Sequence, residues 1–328
     1  MIGSRRCPTC LGRRIAVALA ALAVLCPDVA GAQDFDRESA FLLIPVGARP
    51  VGMGRAATAI AGDLQNTRWN PASLGALDNF NPLVSSYDGP LEFVVTELAA
   101  AVPISGFGVV ALSAVVQSFG DIPLTGLDSP DTPTGQLSPN NLVVSLGFGR
   151  RLVQGLSFGV AAKLIRSELY GQLKGSTIGF DAGLHWVPLA SVPLQLGVSA
   201  LNWGPDLRLD DRPGAETQPL PARARFGVAY DALGHLLPDK GFQLLLALDL
   251  EHAIRNLETG SQYVGVELGV RDILFVRGGF IAETLIETNT GATLGLGIGV
   301  GAFRFDLARE LGVNQLGDET HLSLSAML

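Results

Sequence analysis

The residues best suited to chemistry lie between positions 49 and 70. Gly52-Met53-Gly54-Arg55-Ala56-Ala57 has the G-x-G-x-x-A spacing that lets a backbone wrap a pyrophosphate. That chemistry needs a strand running straight into the glycine turn, inside a βαβ unit. Pro45 and Pro50 break the approach and no parallel-sheet pattern follows, so these glycines read as places where backbone packs closely on a wall. Around them Arg49, Arg55, Asp63 and Arg68 bring both signs of charge, beside Trp69 and Asn70. Such a set can tie a segment to its surroundings by ion pairs. It can also recognise a solute or protein, Arg through forked hydrogen bonds and Trp by stacking. These six residues are the candidate partner or ligand contacts.

Catalytic and metal chemistry find less support. His185, His235, His252 and His321 each stand alone among strand or turn residues. No nucleophile–base pair can be placed, so no enzyme is expected. Cys7-Pro8-Thr9-Cys10 has the spacing of a redox or zinc pair, but it has no βαβ context and no second pair. Asp206, Asp210, Asp211 and Glu216 share one long connection, yet their spacing misses the calcium-loop pattern, leaving a solvated acidic loop. No metal or cofactor is called for.

Three kinds of element must position these groups. Residues 1–32 read as an export signal: Arg5, Arg6, Arg13 and Arg14 precede an apolar stretch from Ile15 to Leu25, and Ala30-Gly31-Ala32 supplies small residues before Gln33. The stretch is shorter than the ~20 residues that span a bilayer. Residues 33–80 read as a compact, partly helical plug. A small-residue helix is expected roughly over Arg55 to Ala61, and a second start at Asn70-Pro71, because Asn caps well and Pro is tolerated at the first helical position. Trp69 is expected to wedge between plug and wall.

Residues 81–328 alternate with period two, as strands buried on one face do. Ile178, Phe180, Ala182, Leu184 and Trp186 oppose Thr177, Gly179, Asp181, Gly183 and His185; Phe242 to Leu250 repeats the pattern against Gln243, Asp249 and Glu251. About fourteen such segments follow Pro82, each long enough for a tilted strand to cross a bilayer. Connections after odd strands include the two longest, Gly120–Asn140 and Gly204–Leu220, and those after even strands tend to be short, Gly234–Lys240 being the longest exception. Tyr87, Phe119, Tyr170, Trp186 and Trp203 fall at strand ends, as an interfacial belt would. The expected fold is all-β, a transmembrane antiparallel β-barrel of about fourteen strands with an N-terminal plug. It sits in outer-membrane lipid with both termini on the periplasmic side. The expected lumen face holds Asp181, His185, Arg223, Arg225, Asp249, Glu251, Glu267, Arg271, Arg277, Glu283, Arg304 and Asp306, a mixed-sign ladder of ion pairs.

Charge agrees with this. The chain has 23 basic and 31 acidic residues; without the four Arg and Asp28 of the leader the balance is 19 to 30, near −11. A nucleic-acid partner would want a basic face, so none is expected.

The stretch FLLIPVGARPVGMGRAATAIAGD from Phe41 to Asp63, followed by WNPASL from Trp69, resembles the N-terminal signature of the PorV/PorQ family of outer-membrane proteins. That family sits within the wider FadL-like group of barrels, whose plugs carry a similar Asn-Pro-Ala element. Looser echoes run through LPARARFGVAYDAL, YVGVELGVRDILFVRGGF and THLSLSAML. The resemblance implies a role in type IX secretion, with secreted cargo proteins and secretion-complex subunits as partners. The alternative it carries is passage of hydrophobic small molecules, as in FadL-like transporters. The two differ in the lumen, because a solute path wants a continuous apolar pocket.

Overall fold

The computed structural model describes residues 39–89, 93–126, 129–170, 173–189, 191–210, 217–236, 241–254, 260–283, 290–313 and 317–328. Residues 1–38, including the stretch 1–32 read as an export signal, lie outside them, as do Asp211 and Glu216 of the acidic connection. Fourteen antiparallel strands close into one barrel. They are β1 (Asn81–Asp88), β2 (Val94–Ile104), β3 (Gly108–Ser118), β4 (Asn140–Val153), β5 (Leu156–Tyr170), β6 (Leu173–Trp186) and β7 (Leu194–Trp203). The second half comprises β8 (Arg223–Asp231), β9 (Phe242–Ala253), β10 (Gly260–Val270), β11 (Leu274–Ala282), β12 (Thr290–Val300), β13 (Phe303–Leu311) and β14 (Glu319–Ala326). Each pairs with its sequence neighbours, and β1 pairs with β14, Leu83 opposite Ser325. Closure removes every exposed edge, which is what a sheet in lipid needs. Phe80 and Leu328 complete the seam by exchanging two backbone hydrogen bonds of 3.1 and 2.9 Å.

One end of the barrel carries mostly short turns, the exception being the connection between β8 and β9, which holds the short helix Ala232–Leu236. At Arg271 and Asp272 both residues take left-handed φ, 53° and 55°, as a tight hairpin turn requires. The other end carries the longer connections. Between β3 and β4 a hairpin of Ile122–Gly126 and Ser129–Leu137 rises above the barrel, and Leu207–Arg208 pairs with Thr217–Gln218 between β7 and β8.

The two faces of the wall decide its solvent. Outward side chains are apolar and open: Leu112, Leu146, Leu294 and Phe305 are each more than half exposed. Inward ones include Asp249, Glu267, Arg277 and Asp306, all 3 % exposed or less. A soluble barrel would reverse this, since burying charge and exposing an apolar belt is favourable only where the outside is hydrocarbon. Asp181 faces inward and Phe180 outward, as the alternation predicts. Trp186 and Trp203 also point out. Tyr87 does not join that belt: it is buried and stacks on His321 inside the barrel, at 4.5 Å between ring centroids. Arg271 is likewise absent from the lumen, because it belongs to the exposed turn between β10 and β11.

Residues 39–80 fill much of the lumen. Their helix lies earlier than the sequence predicts, at α1 (Ala48–Gly52), and residues 55–61 form turns instead. Gly54 and Arg55 take left-handed φ of 61° and 63°, which ends the helix. Beyond them the wall claims the backbone groups a helix would use. The Ala57 and Thr58 amides donate to Asp249 Oδ2 at 3.0 and 2.9 Å, and the Arg55 carbonyl accepts from Arg225 Nη2 at 2.9 Å. A Cβ at Gly54 would meet the Val264 carbonyl and Phe280 amide of the wall, so the close-packing role read for these glycines holds here. The second start forms as expected: Asn70 caps a 3₁₀ turn over Pro71–Ala76, its Oδ1 accepting from Ala72 N at 3.0 Å.

Candidate functional site

The plug meets the wall in two polar clusters and one apolar seat. In the first cluster Arg49, on α1, forks onto Glu267 of β10 at 2.7 and 3.0 Å and reaches Asp63 at 2.8 Å. Arg277 of β11 joins Glu267 at 2.5 Å to Asp306 of β13 at 2.8 Å, and Gln65 Nε2 donates to Asp306 at 3.1 Å. Arg304 lies over the Phe275 ring, its guanidinium carbon 3.9 Å from the centroid. Burial alone would raise the Asp63 carboxyl, but the neighbouring Arg49 guanidinium outweighs it and holds that group below its usual range. Asp63 also caps the turn Leu64–Arg68 through the Gln65 amide at 2.9 Å.

In the second cluster Arg55 forks onto Glu310 of β13 at 2.7 and 2.9 Å and reaches Glu283 at 2.8 Å. The Tyr263 hydroxyl donates to Glu283 at 3.0 Å. Arg225 of β8 bridges Glu251 and Asp249 of β9 and donates to Thr58 Oγ1 at 3.0 Å. Arg49 and Arg55 both stay above the usual guanidinium range: burial opposes the charge, but the facing carboxylates more than offset it. These ion pairs account for most of the expected lumen ladder. His185 stands outside it, with the Ala59 carbonyl and Gln195 as partners.

The apolar seat is on the opposite wall. Leu74 packs with Val109 and Ala111 of β3, and Gly149 of β4 and Gly159 of β5 let the turn Pro71–Ala76 lie directly on the strands. Asn70 holds the turn by donating to the Leu184 carbonyl at 2.9 Å and the Thr58 carbonyl at 2.8 Å.

Between these contacts, toward the long-loop end, lies a cavity of about 210 Å³. One side is apolar, with Leu42, Leu43, Ile44, Trp69 and Leu201. The other is charged, with Arg55, Arg68, Lys163, Arg223, Arg225, Glu251 and Glu283. Trp69 is buried against the wall, where Ser199 Oγ donates to its carbonyl at 2.6 Å, and it also lines the cavity. Arg68 lines the cavity too and reaches the Ile44 carbonyl at 3.5 Å. Of the six residues singled out in the sequence, Arg55, Arg68 and Trp69 therefore come together at the cavity. Arg49, Asp63 and Asn70 fasten the plug.

Beside the cavity the wall is irregular. The β6–β7 register slips between Phe180 and Ala182, and Asn202 adopts φ 56°. Lys163 bridges the slip, reaching Asp181 at 2.6 Å and Asn202 Oδ1 at 2.7 Å, while the Asn202 amide donates to Asp181 at 2.8 Å. An outer groove lined by Phe107, Phe148, Phe180 and Trp203 backs onto Asp181. Sequence reading missed Lys163, Tyr263, Glu310 and Glu319. The first, Glu310 and Glu319 only extend the period-two pattern of their strands, so the signal was present. Tyr263 reads equally well as a belt residue.

No family model matches the sequence, and no curated protein matches it. Among solved structures the fold is that of outer-membrane barrels of the FadL kind. The Pseudomonas putida toluene transporter TodX aligns with a TM-score of 0.60 at 12% identity, over 85% of this chain and 96% of that one. The Ralstonia pickettii toluene transporter TbuX gives 0.57 at 13%, over 86% and 98%. A Pseudomonas aeruginosa FadL homologue gives 0.54 at 14%, over 86% and 98%. The fold is thus a plugged fourteen-stranded barrel similar to these outer-membrane barrels. Nothing in these likenesses singles out the PorV/PorQ family within it.

Proposed function

We propose that this chain is an outer-membrane barrel that admits a small apolar or amphipathic molecule to the cavity beside Trp69 and passes it across the membrane. The observation that carries this is the cavity itself, lined by apolar side chains and by charged ones of both signs, on the long-loop side of the plug. A cavity of about 150 Å³ holds one benzene ring, so about 210 Å³ suits a substituted ring or a short chain. Toluene transport by two proteins of the same fold points the same way. The plug occupies the lumen beside the cavity, and the slipped register between Phe180 and Ala182 is the exit this reading assigns to the solute. Outer-membrane lipid surrounds the apolar belt, and both barrel termini face the periplasm.

The test is a titration of detergent-solubilised protein with toluene and with a short fatty acid, read by tryptophan fluorescence. A saturable response that disappears in Trp69→Phe is expected; a flat titration of folded protein removes the reading. A second reading, docking of secreted cargo or secretion-complex subunits as in type IX secretion, draws on the plug's ion-paired closure and the long connections. Deleting residues 205–219 should then abolish capture of secreted proteins while leaving the fluorescence titration silent.

A further inference from the structure

We propose that Glu310, Glu319 and His321 form a binding site for one divalent cation of the zinc class, in the wall beside the cavity. Glu310 and Glu319 are directly opposite each other across the β13–β14 pair, and His321 is two residues along on the same face. A carboxylate oxygen from each Glu and a ring nitrogen of His321 lie within 4.8 Å of one another. Like charges facing each other across a ladder repel, and in a buried setting they need a proton or a cation between them. Arg55 supplies one positive charge, but it serves Glu283 and Glu310 together, and Glu319 makes a third carboxylate beside it. Glu319 hydrogen-bonds Tyr87 and Glu310, and a divalent cation would take the place of the proton held between the two carboxyls.

An independent sign of a ligand comes from His321. It is wholly buried, and neither ring nitrogen has a hydrogen-bond partner. A neutral imidazole carries one donor and one acceptor, and buried polar atoms of this kind are ordinarily satisfied. Stacking on Tyr87 fixes the ring while leaving its edge for the carboxylates. Ligands on one tetrahedral zinc sit about 3.4 Å apart, so a small rotamer change closes the three onto an ion. One nitrogen with two carboxylates suits zinc and its first-row neighbours; calcium wants six to eight oxygens. Glu319 and Tyr87 also line the cavity, which gives an ion a way in and room for a water as fourth ligand. The site does not rest on the solute reading, since its three ligand residues and their geometry are the same whether or not a solute enters the cavity.

The experiment takes the full purified chain in detergent, strips it with chelator, dialyses it against ZnCl₂ and measures retained zinc. Roughly one zinc per chain is expected, unmoved by excess CaCl₂, with Co²⁺ giving a ligand-field band in its place. His321→Ala and Glu319→Gln should each weaken binding at least tenfold. Heat-modifiable gel mobility confirms that both variants still form the barrel. Folded parent protein that retains no zinc, or variants that bind it as the parent does, would overturn the site and leave a proton between the carboxyls. Displacement by calcium would overturn the assignment to the zinc class.

Discussion

The two walls that hold the plug do so by different physics. Strands β10 to β13 grip α1 and the following turns through Arg49, Arg55, Arg277 and their carboxylates. Strands β3 to β6 hold the turn Pro71–Ala76 through Leu74, close glycine contacts and the Asn70 amide. The first grip is directional and depends on charge. The second depends on shape, because its contacts vanish only if atoms are added or removed. A plug held this way can loosen on the charged side while staying seated on the other, and the cavity lies between the two.

The comparison breaks most violently at Arg277. It is fully buried between Glu267 and Asp306. Arg277→Leu removes the cation shared by two buried carboxylates, leaving Glu267 to Arg49 and Asp306 to Gln65 and Arg304, and should cost up to about 3 kcal/mol, read by urea unfolding in detergent. Adding bulk tests the other wall. A Cβ at Gly159 would run into the Pro71 carbonyl group, so Gly159→Val should lift the turn at about 1–3 kcal/mol while leaving the Arg49 clamp intact. A spin label at Asp78 should gain mobility in that variant; an unchanged label would show that the seat does not depend on shape. Asn70→Ala removes a cap and two bonds to carbonyls, with a smaller loss of about 0.5–2 kcal/mol. The gentlest probe is pH. Asp63 is held below its usual value, so its contribution is complete above the unfolded carboxyl value of about 3.9 and is lost as pH falls through the folded one. Label mobility near Asp63 should stay flat from pH 7 to about 4 and rise below that, with the Pro71–Ala76 turn unmoved.

Much of the wall was legible because period two is a local code. Once Asp181 is set inward, Phe180 must face out, whatever the rest of the chain does. The plug was less legible. Asn70-Pro71 carried its own capping chemistry and was readable, but residues 55–61 were not. Their small side chains favour a helix, and only Asp249 and Arg225, far along the chain, take the backbone elsewhere. The cavity joined Leu42, Trp69, Lys163 and Leu201, which no spacing rule connects. Tyr87 deceived for a related reason: a tyrosine at a strand end looks the same whether it faces headgroups or stacks on a buried histidine.

The seam between β1 and β14 bears on the order in which the molecule can be made. Plug residues precede the wall in the chain, and Ala57 finds Asp249 192 residues later and Arg55 finds Glu310 255 residues later. Such distant partners mean slow folding, because the entropy of closing long loops is spent before any contact repays it. The Ala48 amide donates to Ser323 Oγ, on β14, at 2.8 Å. A chain stopped short of β14 would therefore lack both its ring closure and an anchor for its first helix, leaving two open strand edges ready to pair with other chains. Strand β14 is what turns a ribbon with a loose head into a sealed vessel.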